Sequence, residues 1–218
     1  MALTRPFTTT NPLLTNFSFT NIIEGLAGIN FYAGNGLNAS ASNVDVLSST
    51  IFDSNSPETS TPANAASSTL IDTQEYALSE ATIPNTLKGK CIVTFGWGMR
   101  ANNNNQGQSS GHIKVALLVN NTNIGEGKTG ERTSTGTAYT IAPVGNSTVT
   151  FDVTETQIRI GDELKIVFYI YGYRASGSSG GYVVNGHDPS NGDGSYIKPS
   201  TDDVYTRIKA QIPFKLDL

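Results

Sequence analysis

Cysteine is nearly absent. Cys91 is the single one in 218 residues, which excludes an internal disulfide and any metal centre built on several thiolates. It lies in the apolar run Cys91-Ile92-Val93-Thr94-Phe95, where a small buried hydrophobe is expected. Charge is scarce as well, at 15% of residues against roughly 25% in an average domain. The 14 basic residues are scattered, the net charge is −4, and no Lys/Arg stripe is present to displace counterions from phosphates. The expectation is therefore no nucleic-acid partner. No run of about 18 apolar residues occurs, so no membrane helix is expected. No basic stretch leads into an apolar one at the start, which reads as the absence of a secretory leader. Apolar residues recurring at helical spacing are also missing.

Ser, Thr, Asn and 22 glycines fill the space left by charge. Thr suits a pleated surface, and Gly, Asn and Ser supply turn geometries, so the composition describes strands joined by many turns. Alternation supports this. Ile113, Val115, Leu117 and Val119 share one face, as do Val149, Phe151 and Val153. After Gly161-Asp162, Leu164, Ile166, Phe168 and Ile170 share a face. In the last segment Ile208, Ala210, Ile212 and Phe214 do so, with Pro213 marking an edge or a bulge. Weaker strands are expected at 15–23, 29–33, 44–52, 69–78, 87–100 and 132–141. The stretches 53–68, 102–111 and 174–203 read as polar loops. The fold class is thus all-β, a jelly-roll or Greek-key antiparallel β-sandwich of about 8–10 strands. Residues 1–14 read as an extended arm and 15–218 as a single domain.

Several motifs invite a catalytic reading and fail on context. Gly125-Glu126-Gly127-Lys128-Thr129-Gly130 matches a glycine-rich phosphate loop, but a strand-like stretch follows where a helix N-terminus is required. Ser109 and Ser179 sit in G-x-S-x-G matches that no helix follows. Glu155, Asp162, Glu163, Asp202 and Asp203 fall in turn-like positions, with solvated charges the expectation rather than a paired acid and base. Asp188, Asn191 and Asp193 offer oxygen ligands for Ca²⁺ in a loop whose Asp-Pro and Asn-Gly pairs are ordinary turn formers; a turn is the better reading. No cofactor is expected, and the chain reads as not being an enzyme. An aromatic stripe remains. Tyr169, Tyr171 and Tyr173 fall on the face of their strand opposite the apolar set, where they form an interface, lie beneath the 174–203 loop, or bind a glycan.

The progression Asp45-Val46-Leu47-Ser48-Ser49-Thr50-Ile51-Phe52-Asp53-Ser54, Thr69 to Thr73, Ile83 to Gly89, and Ile158-Arg159-Ile160-Gly161-Asp162-Glu163-Leu164 resembles small jelly-roll structural proteins of tailed and marine viruses. The resemblance implies a non-enzymatic virion protein, as a capsid decoration, minor capsid or tail-appendage component. It further implies a homo-oligomer, a trimer favoured, in contact with capsid or tail proteins. The alternative is a carbohydrate-binding jelly roll using Trp97 or the tyrosines.

Overall fold

A computed structural model describes residues 14–16, 26–37, 43–50, 58–78, 84–100, 107–134, 141–177, 180–186 and 208–215. The described residues form thirteen strands and no helix. In chain order they are β1 (Leu14–Asn16), β2 (Leu26–Leu37), β3 (Asn43–Ser48), β4 (Glu58–Ala63), β5 (Thr69–Leu78), β6 (Asn85–Arg100) and β7 (Gly107–Val119). Then follow β8 (Thr122–Lys128), β9 (Arg132–Thr133), β10 (Ile141–Ile158), β11 (Leu164–Gly177), β12 (Gly181–Gly186) and β13 (Ile208–Lys215).

Hydrogen bonding runs in the order β4-β12-β6-β13-β2-β3-β5-β11-β7-β8, with β1 on β2, β10 on β6 and β9 on β7. Every pairing is antiparallel except one parallel contact, Val46 of β3 with Ala77 of β5. That contact joins a layer built on β6 to a layer built on β11. The result is an all-β sandwich in which sequence neighbours are often separated in the sheet, as in Greek-key connections.

The core lies between the layers and follows the alternation in the sequence. From β6 come Leu87, Cys91, Val93, Phe95, Trp97 and Met99, and from β11 come Leu164, Ile166, Phe168 and Ile170, all buried. Phe168 is the hinge pin of this core. Its ring meets Phe95 edge-on at 5.0 Å and Tyr76 edge-on at 5.7 Å, arrangements that the ring quadrupoles favour. Burial pushes the Cys91 thiol up to about 12, so it stays protonated, as expected for a small core hydrophobe.

The departures from the sequence reading, in β4 and in β8, have physical causes. The count of thirteen exceeds the expected range because β4 and β12 fall in stretches read as loops, and β8 falls in a glycine-rich motif not read as a strand. β4 keeps Pro62 because, among the described residues, it ends the hydrogen-bonded order and pairs only with β12. β8 contains the glycine-rich motif at 125–127, and its glycines serve packing. A Cβ on Gly125 would sit 2.6 Å from the Asp152 carbonyl oxygen, and one on Gly127 would sit 2.7 Å from Val149. Both contacts are with β10, so the bare backbone lets the edges of the two layers touch. Pro213 lies in β13, between β2 and β6, where the pairing to β6 shifts register between Gln211 and Phe214. The missing donor thus falls at a bulge, one of the two places expected for it. The expected arm lies almost wholly outside the described residues, with Leu14 opening β1.

Candidate functional site

The tyrosine stripe stands on the outer face of the β11 layer. Tyr169, Tyr171 and Tyr173 project opposite Phe168 and Ile170, each half-buried. Register sets Tyr169 beside Lys114 and Tyr171 beside His112 on β7, and Tyr171 beside Leu70 on β5. The Lys114 ammonium lies 4.9 Å from the Tyr169 ring centroid. The His112 and Tyr171 rings stack at 4.8 Å, 3° from parallel. Burial, then the Lys128 charge, lowers the His112 pKa against an opposing pull from Glu131, which favours a neutral imidazole on the tyrosine. Tyr173 donates its hydroxyl to Glu131 at 2.8 Å.

This face is more apolar than alternation alone suggests. Ala116, Leu118 and Val167 form a second buried cluster on it, packed against Tyr169. Leu70, Tyr171's neighbour, is 48% exposed. At one end Lys165 anchors the face, bonded to Glu75 at 3.3 Å, Glu163 at 3.0 Å and Asn121 at 3.0 Å. The stripe is therefore rigid, aromatic and flanked by charges of both signs. Such a surface suits contact with another macromolecule.

A second feature is a polar cluster between the layers that sequence reasoning missed. Asp72 accepts hydrogen bonds from Thr61 at 3.1 Å and from Gln74 at 3.5 Å. Gln74 in turn accepts from Tyr76 at 3.3 Å and from the Asn185 amide at 2.8 Å. Burial first, and then the Asp72 charge, raises the Asp45 pKa. The cluster joins the consecutive strands β4 and β5 to β12, where Asn185 lies 111 residues from Gln74, and so no local pattern announces it.

The third feature is a cleft of about 470 Å³ at one end of the sandwich. Its frame is the β7–β8 turn, where Asn120 and Asn121 adopt φ of 49° and 65°, locked to the turn at 159–162. Asn120 donates to Asp162 at 2.7 Å and accepts from the Glu163 amide at 2.9 Å. The Arg159 amide donates to the other Asp162 oxygen at 2.7 Å. These bonds, that from Arg159 foremost, hold the Asp162 carboxyl below the usual carboxylate range.

The other sequence candidates separate clearly. Ser109 is buried, accepts from the Gly181 amide and donates to the Ala63 carbonyl, so it pins β7 to its neighbours. Trp97 is fully buried beneath Arg132, whose guanidinium lies 4.4 Å above the ring, and so is no part of a sugar platform. Glu155 is paired with Lys88 at 3.1 Å. Ser179, Asp188, Asn191, Asp193, Asp202 and Asp203 lie outside the described residues. Among the described residues no group of three or more His, Cys, Asp or Glu side chains converges as a metal site.

No protein-family model matches the sequence, and no curated protein matches it. Solved structures do align with the fold. One is an aminopeptidase from a marine sediment archaeon, Thaumarchaeota archaeon, at 5% identity and a TM-score of 0.50, covering 87% of this chain and 37% of the enzyme. A CocE/NonD family hydrolase from Staphylococcus aureus aligns at 9% identity and a TM-score of 0.31, covering 85% and 41%. The infectious bursal disease virus Gx strain structure aligns at 12% identity and a TM-score of only 0.17, covering 88% and 62%. The chain thus spans less than half the length of either hydrolase.

These likenesses correct two expectations. The expected virion structural role is not supported: the solved structure that shares the fold at a TM-score of 0.50 is an aminopeptidase. The reading that the chain is not an enzyme rested on failed motifs, and the fold it shares at a TM-score of 0.50 occurs inside an enzyme. The shared feature is the fold; at 5% identity the likeness extends no further.

Proposed function

We propose that this chain is a β-sandwich assembly domain, sharing its fold with part of an aminopeptidase, that joins a second copy of itself through the tyrosine face of β11. The carrying observation is the strip of Leu70, Tyr171, His112 and Tyr169, with Tyr169 packed against the buried Ala116, Leu118 and Val167 cluster. Exposed leucine beside stacked aromatic rings gives contact area whose burial is favourable, at about 25 cal/mol per Å² of apolar surface. Charges flank the strip in both signs, with Lys114 and Lys128 near Glu126 and Glu131. A twofold pairing can then set each sign against the other.

Sedimentation velocity over a concentration series tests the reading. The parent chain is expected to associate reversibly, and Leu70→Glu is expected to sediment as a monomer that melts where the parent does at concentrations too low for association, because Leu70 is exposed. A parent that stays monomeric throughout, or a variant that associates like the parent, would overturn it.

A further inference from the structure

The end cleft lies between two open strand edges. Among the described residues β8 pairs only with β7, and β10 pairs only with β6. Where Gly125 and Gly127 let the edges touch, the layers are closed. Beyond Gly125 the cleft opens, lined by Thr122 of β8 and by Thr154 and Gln157 of β10. Unpaired strand edges carry backbone donors and acceptors that an added extended chain can use.

The side chains define which end of such a chain fits. Both Asp162 oxygens are already engaged by Asn120 and by the Arg159 amide. The Arg159 guanidinium makes no hydrogen bond or ion pair with a described residue; its charge acts on Asp162 at longer range, and it lines the cleft. Gln157, Thr122 and Thr154 also have no side-chain hydrogen bond among the described residues, while Val119 and Ile124 are buried at the floor. A planar guanidinium binds a carboxylate through two parallel hydrogen bonds. The walls supply neutral donors, and the floor accepts an aliphatic group.

We propose that this cleft binds the carboxylate end of an extended peptide with an aliphatic last residue, Arg159 taking the carboxylate and the open edges of β8 and β10 flanking the backbone. The site is separate from the tyrosine face and does not depend on it.

Calorimetric titration of the full chain with acetyl-Ala-Val-Leu as the free acid and as the amide tests this, with isovalerate as a third probe. Binding of the acid at least tenfold tighter than the amide is expected, together with loss of that preference in Arg159→Gln. Arg159 is exposed, so the variant should fold, and its melting curve checks this. Amide chemical shifts at Thr122 and Asn123 should move only with the acid. Equal binding of acid and amide, an unaffected Arg159→Gln, or no heat and no shifts with any probe overturns the proposal. Isovalerate binding as tightly as the tripeptide also overturns it, since the strand edges would then contribute nothing.

Discussion

At the scale of single residues, Arg132 shows what the sequence keeps hidden. Its guanidinium donates to the carbonyls of Trp97 and Gly145 and to the Ser147 hydroxyl, and it covers the indole face. Ser147 also accepts from the Trp97 ring nitrogen at 2.9 Å, so one arginine closes a network over the only tryptophan. Burial lowers the Arg132 pKa, but a guanidinium starts so high that it stays charged. Arg132→Met keeps the stem and removes the donors, stranding two carbonyls. A loss of about 2–4 kcal/mol is expected, read as a lower urea midpoint together with a shift in Trp97 fluorescence. A midpoint within error of the parent's would mean that water replaces the guanidinium without cost. None of this was legible in advance, because Arg132 lies 35 residues from Trp97 and 15 from Ser147. The tyrosine stripe was legible. Tyr169, Tyr171 and Tyr173 alternate with core residues on one strand, and alternation needs no knowledge of the partner strands.

At the scale of elements, strands with a core face could be read and strands defined by their neighbours could not. β5 spans Thr69–Leu78 as expected, and the alternating runs at 112–119 and 147–153 lie inside β7 and β10. β8 was invisible because its composition answers to β10. Its glycines look like a loop until the Asp152 carbonyl is seen 2.6 Å from where a Cβ would stand. The cleft was hidden for the same reason, since its walls come from segments some thirty residues apart. Gly125→Val separates packing from propensity. Valine is the better strand former, yet it must push β8 away from β10, and a net destabilisation of about 2–3 kcal/mol is expected. Gly130→Ala is the control, with nothing within 4 Å of its new methyl group. Equilibrium unfolding of both variants decides. If Gly125→Val is as stable as the parent, the glycines of β8 are not what brings the two layers together.

At the scale of the molecule, the hydrogen-bonded order places β13 between β6 and β2. The last described strand is therefore interior to its layer. It pairs with β2 from Ile208 to Lys215 and with β6 at Lys209 to Gln211 and at Phe214, and it contributes the buried Ile208, Ala210 and Ile212. Without it, β2 and β3 lose their link to β6, and the β6 layer can no longer close over Phe168. A chain ending before Ile208 is expected to lose the cooperative thermal transition and near-UV circular dichroism, not merely to melt earlier, because a central strand cannot be replaced by solvent as an edge can. The hydrogen-bonded path between the layers runs from β6 through β13, β2 and β3 to the single parallel contact with β5, so the truncation severs it between β6 and β2. Adding residues 208–218 in trans as a peptide gives the sharper readout: recovery of the transition would assign the loss to the missing strand itself. A truncated chain that still melts cooperatively near the parent's temperature would show that β2 and β6 can pair directly, and the order of strands argued here would fail.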